Sequence, residues 1–225
     1  MPAAAPIAIG RLDELTRRLR RDCPWDREQD ERSIVAHTVG EAYELADAAH
    51  SGDDAKLLDE LGDVLFQVHF LALLLEERGS GDLAQVADHC AQKLIRRHPH
   101  VFGDLEVDGP AEVRRNWDEI KRTSEGRGAD GLFSDVPENL PALALAAKLQ
   151  RRAESEVSAA PFAEAEGRLA RLSEAKQRDD RFDALGDLLF TLVRCARALD
   201  VDPELALRRA STRFREAAET VAAPR

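Results

Sequence analysis

Four acidic residues fall in two matched pairs, Glu41 with Glu44 and Glu60 with Asp63. Within each pair the spacing is i, i+3, which puts both carboxylates on one face of a helix. The turn signal SGDD at 51–54 separates the pairs. The two helices are therefore expected to fold back as an antiparallel hairpin, with the pairs facing each other. Carboxylates gathered this way repel unless a cation neutralises them. Hard oxygen donors favour Mg²⁺ or Mn²⁺ over zinc. The competing reading is a solvated acidic surface, because glutamate is common on exposed helix faces. The apolar residues around the second pair, Leu61 and Val64, point to a position against the core. Gly62 costs about 1 kcal/mol relative to alanine inside a helix, and close approach of another backbone would explain it. A di-iron carboxylate site would need Glu-x-x-His on each of two helices. No histidine lies three residues after a glutamate in this chain.

A second set is basic. Lys93, Arg96 and Arg97 recur at i, i+3 and i+4, so they share one helix face. They can grip a polyphosphate whose other oxygens meet the metal. Equally, basic residues at a helix C-terminus complement its dipole, and spacing alone favours that reading. His98 and His100 flank Pro99 and are expected to cap a loop. Trp25, His37 and Trp117 offer rings for stacking on a base, or for core packing.

The elements that position these groups are helical. Among 225 residues, 44% are apolar, 33% charged and only 5% aromatic, with good helix formers abundant. Periodicity and stop signals predict helices at 12–21, 33–50 (capped by Ser33), 55–78, 83–97, 110–121, 139–156, 163–178, 182–200 and 203–221. Pro24 is expected to open a loop, as is HPHVFGD at 98–104. The first ten residues, MPAAAPIAIG, read as a frayed tail rather than a signal peptide.

The string DELGDVLF at 59–66 returns as DALGDLLF at 183–190. Two tandem helical modules follow from this duplication: 1–123, a Gly/Ser/Asp-rich linker at 124–137, and 138–225. The net charge of −11 argues against binding nucleic acid. No apolar run is long enough for a bilayer span. Three scattered cysteines without a CxxC fit a reduced, cytoplasmic setting.

The strings CPWDREQ at 23–29, EAYELADA at 41–48, ELGDVLFQV at 60–68, KLIRRHPHVFGD at 93–104 and NWDEIK at 116–121 resemble the MazG family in content and order. LPALALAAKLQRRA at 140–153 and GDLLF at 186–190 extend the resemblance over almost the whole chain from about residue 12. It implies an all-α fold of tandem MazG-type helical modules, usually assembled as a homodimer. It implies Mg²⁺-dependent hydrolysis of nucleoside and deoxynucleoside triphosphates at the α–β bond. The metal set would be Glu41, Glu44, Glu60 and Asp63, with Lys93, Arg96, Arg97 and Lys121 on the phosphates. Nucleotide-pool house-cleaning is the role such an activity suits. A non-catalytic helical dimer that binds nucleotides or a partner for regulation is the alternative.

Two departures stand out. The family often has a glutamate just before the first motif glutamate, where this chain has Gly40. Aligned on the repeat, the second module's counterparts of Glu41, Glu44 and Glu60 are Arg168, Arg171 and Ala184, with only Asp187 kept. The second module is therefore expected to be degenerate as a metal site.

Overall fold

The computed structural model describes residues 4–124, 131–134, 136–153 and 160–222. All its regular structure among these residues is α-helical, and the chain divides into two compact units, Met1–Trp117 and Asp118–Arg225.

In the first unit, α1 (Ala4–Asp22), α2 (Pro24–Glu28), α3 (Glu31–Ser51) and α4 (Asp54–Glu77) build the frame, and α5 (Leu83–Arg97) and α6 (Pro99–Phe102) follow it. The α3–α4 hairpin is set by its turn. Gly52 closes α3 in the left-handed conformation at φ 75°, which favours glycine because it has no Cβ. Asp53 then caps α4, its Oδ1 accepting from the amides of Ala55 (3.0 Å) and Lys56 (3.1 Å). At the other end Asp30 and Ser33 form a reciprocal capping box: Ser33 N donates to Asp30 Oδ1 at 2.8 Å and Asp30 N to Ser33 Oγ at 3.0 Å. The cap is thus Asp30 rather than the expected Ser33, because Asp30 has the extended backbone of a cap.

Ile34, Phe70 and Leu74 form the buried core of the hairpin, with Phe66 and Leu71 packed on it. Phe66 meets Phe70 edge-on at 5.9 Å. Arg20 from α1 lies over the Phe70 ring and forks onto Glu77 at 2.9 and 2.8 Å. The same guanidinium holds the carbonyl oxygens of Asp26 (2.6 Å) and Gln29 (3.0 Å), tying α2 to the frame.

Several expectations are corrected. Ala4 onward is helical, so residues 4–10 belong to α1 rather than a frayed tail; Pro6 sits in the first turn, where it is tolerated. Pro24 and Pro99 each open a short helix, since a proline at N1 loses no intrahelical bond. Residues 125–130 and 135 of the expected linker lie outside the described residues.

α7 (Pro110–Ser124) ends the first unit and begins the second. The second unit contains α8 (Ala142–Arg152), α9 (Pro161–Glu174), α10 (Arg178–Ala198) and α11 (Pro203–Ala222). The expected helix at 139–156 is described only to Arg152, and 154–159 lie outside the described residues. The helix expected at 163–178 stops at Glu174, and a new one starts at Arg178. α10 packs on α9 and α8. No helix among the described residues is long and apolar enough to cross a membrane.

Both tryptophans lie in the first unit, so intrinsic fluorescence reports its unfolding alone. Phe70 is fully buried. Phe70→Ala is expected to destabilise that unit by about 3–5 kcal/mol, read as a lowered urea midpoint in tryptophan emission.

Candidate functional site

With the turn at Gly52, Ile34 lies opposite Phe70, Glu41 opposite Asp63, and Glu44 opposite Glu60. The hairpin that makes the core therefore also sets the carboxylates against one another. Glu41, Glu60 and Asp63 each offer a ligand oxygen, and these lie within 4.8 Å of one another. Glu44 falls outside this trio but is close enough to act on its charges. Burial pushes the Glu41 carboxyl above its ordinary 4.5, and Asp63, Glu44 and Glu60 add to the push, with His37 opposing. Burial raises Glu60 too, reinforced by Glu44 and Asp63, while Lys56 opposes. None of the three has an ion-pair partner among the described residues. Three mutually repelling hard oxygen donors without a cationic partner suit a divalent ion of the Mg²⁺ or Mn²⁺ type.

The expectation that the second pair lies against the core holds for Glu60, which is buried, and is corrected for Asp63. Asp63 is exposed, and Leu61 and Leu65 are 49% and 37% exposed. The helix α4 has two apolar faces, and the core takes only the one carrying Phe70, Leu73 and Leu74. Gly62 has no other backbone near it among the described residues, since an added Cβ would meet nothing within 4 Å. The same holds at Gly40.

Trp25 and His37 meet edge to face at 5.7 Å. His37 lies one turn before Glu41 on α3, so this pair stands beside the carboxylates. Trp25 is 52% exposed, leaving much of its ring open. Spacing had left Trp25 and His37 unplaced relative to each other, because they sit on different helices. Lys93, Arg96 and Arg97 do share α5, which packs on α4; Arg97 is buried and Arg96 exposed. Lys121 lies beyond Trp117, in the second unit. His98 Nδ1 bonds the Leu94 carbonyl at 2.7 Å, and its ring packs on His100 and Trp117 at 5.6 and 5.2 Å. His98 thus works locally, at the junction of α5 and α6.

The second unit repeats the geometry with different chemistry. Arg168 Nη1 donates to Asp187 Oδ2 at 2.5 Å, and Arg171 Nη1 approaches the same oxygen at 3.5 Å. Ala184 is buried where the first unit has Glu60. The lone carboxylate is already neutralised by two guanidinium groups.

A helical hairpin carrying opposed carboxylates defines an all-α protein with a candidate metal centre. The comparisons narrow this class: the MazG nucleotide pyrophosphohydrolase domain matches residues 29–102, a span that holds all four carboxylates. The chain is 36% identical to the nucleoside triphosphate pyrophosphohydrolase/pyrophosphatase MazG of Thermotoga maritima, over 94% of this chain and 84% of that one. It is also 36% identical to the nucleoside triphosphate pyrophosphohydrolase of Escherichia coli K12, over 96% and 89%. The crystal structure of a mazG-related protein from Thermotoga maritima matches 51% of this chain and 99% of its own, with 26% identity and a TM-score of 0.45. The chain belongs to the MazG family of nucleotide pyrophosphohydrolases and is a hydrolase.

The raised carboxyls fix a sign. Between the unfolded and folded pKa values the folded state holds more protons, so this contribution to stability falls as pH rises through the folded values. Replacing Glu41 by glutamine removes part of the repulsion. In metal-free buffer, the Tm of Glu41→Gln minus that of the wild type is expected to grow from acid toward neutral pH by scanning calorimetry.

Proposed function

We propose that the chain cleaves nucleoside and deoxynucleoside triphosphates between the α and β phosphates, releasing a monophosphate and pyrophosphate. The observation that carries this reading is the contrast between Asp63, without an ion-pair partner in a three-carboxylate cluster, and Asp187, neutralised by arginine. The first module, 1–123, is the competent one, and 138–225 is its degenerate copy. Glu41, Glu60 and Asp63, with Glu44 beside them, would hold Mg²⁺, or Mn²⁺ in its place. The chemistry such an ion supplies there is neutralisation of phosphate charge and activation of water.

The chain's own groups do the rest. Glu44 stands outside the trio and is the carboxylate left to accept a proton from the attacking water. Lys93, Arg96 and Arg97 on α5 stabilise the charge on the pyrophosphate leaving group. Trp25, braced by His37, receives the base on its open ring. Clearing unwanted triphosphates from the cytoplasmic nucleotide pool is the role this reaction suits. The arginine-filled second site favours a regulatory, non-catalytic role for its own half of the chain.

The assembly we propose is a homodimer. Leu58, Leu61, Leu65 and Val68 form an exposed stripe on α4 at heptad-like spacing, and Val35 and Val39 extend it on α3. Gly62 lies within that stripe, where a second copy's helix can approach closely.

Purified protein with each common triphosphate is expected to give monophosphate and pyrophosphate with Mg²⁺ and nothing with EDTA, resolved by ion-exchange chromatography. Diphosphate with orthophosphate would mean that a different bond is cut. Glu41→Gln and Asp63→Asn should lower turnover by about 100-fold or more, while Asp187→Asn leaves it at the wild-type level. Leu65→Glu should turn a dimer into a monomer in sedimentation velocity, and a wild-type monomer would remove the dimer from the proposal.

A further inference from the structure

The second unit contains a cavity of about 420 Å³ between α8, α10 and Phe133. This is within the size range of small-molecule sites. Its walls are mainly apolar, with Phe133 and Phe190 supplying two aromatic rings and Leu149 and Ala153 the aliphatic side. Two polar groups interrupt them. Gln150 is only 7% exposed. Its Nε2 donates to the Phe190 carbonyl at 2.7 Å, which fixes the amide on the α10 wall. Its Oε1 is buried and has no hydrogen-bond partner among the described residues. Arg194, one turn after Phe190, donates through Nη2 to Glu164 at 2.7 Å, yet its Nε is buried and equally without a partner.

One acceptor therefore lacks a donor, and one donor on the adjoining turn lacks an acceptor. Buried polar groups are normally satisfied, and those that are not call for a partner. Gln150 is on α8, apart from the opposed α9–α10 positions, while Arg194 on α10 shares Glu164 of α9 with Arg168, which lies 3.6 Å from the same Oε1. A flat ring bearing an N–H beside a carbonyl or ring nitrogen would satisfy both groups at once while its faces lie against phenylalanine. The Glu164 carboxylate already balances Arg194, and Arg197 also lines the cavity.

We infer that the second unit binds a nucleobase-bearing small molecule, a nucleoside or its phosphate, in this cavity and without a metal ion. The site is separate from the carboxylates of the first unit and stands whether or not the reaction proposed for that unit is correct.

The test uses the full chain in EDTA, titrated calorimetrically with adenosine, guanosine, cytidine and uridine. At least one nucleoside should bind once per chain. Gln150→Met, close in shape but without the amide, should weaken that binding by about tenfold or more. Phe190→Leu should weaken it too, and circular dichroism checks that each variant keeps its helices. Trp25→Ala should leave it unchanged. Binding by none of the four at millimolar concentration overturns the proposal, as a cavity filled by a second copy of the chain would. Binding that ignores both cavity variants, or that is lost with Trp25→Ala, overturns it as well. Turnover of triphosphates with Mg²⁺, measured on the same proteins, reports separately on the first unit.

Discussion

Like charges held close together are the constraint on which the first unit turns. Two unit charges about 4 Å apart repel by about 4 kcal/mol at an effective dielectric of 20. Glu41, Glu60 and Asp63 come within 4.8 Å of one another because the hairpin leaves them no alternative. Its turn is fixed by Gly52 and Asp53, its far end by Ile34 against Phe70 and Leu74. Apolar packing at one end and capping at the other thus supply the free energy that keeps the carboxylates together. Arg20 extends the constraint to α2, and with it to the position of Trp25.

The second unit answers the same electrostatic problem without an ion. Where Glu41 faces Asp63, Arg168 faces Asp187; where Glu44 faces Glu60, Arg171 faces Ala184. The duplicated backbone survives while two of its four charges change sign, one is lost at Ala184 and one is kept at Asp187. The helices of the two units therefore share a packing solution, and the side chains at two opposed positions separate a cluster in need of a cation from one that contains its own.

Much of this was legible in the sequence. The i, i+3 spacing and the SGDD turn gave the hairpin and placed Glu41 and Glu60 on facing surfaces. Alignment on DELGDVLF and DALGDLLF gave the arginines opposite Asp187. Other features lay beyond the pattern. Proline was read as a breaker at Pro24 and Pro99, although at the first helical position it breaks nothing. Ser33 and Asp30 are both good caps, and only backbone geometry separates them. Leu61 is exposed rather than core-facing, because periodicity reports an apolar face without saying what covers it. The open side of Gly62 has no neighbour among the described residues, so its reason does not lie in this chain's own packing. Gln150 carried no signal, because a glutamine in a helix reads as surface until burial and an unmatched oxygen set it apart.

The Arg168–Asp187 pair has a further consequence. A counter-charge carried on a side chain is covalently part of the protein and cannot be dialysed, chelated or exchanged. The Arg168–Asp187 balance is thus indifferent to the supply of divalent ions, whereas an ion at the proposed centre of the first unit would be exchangeable.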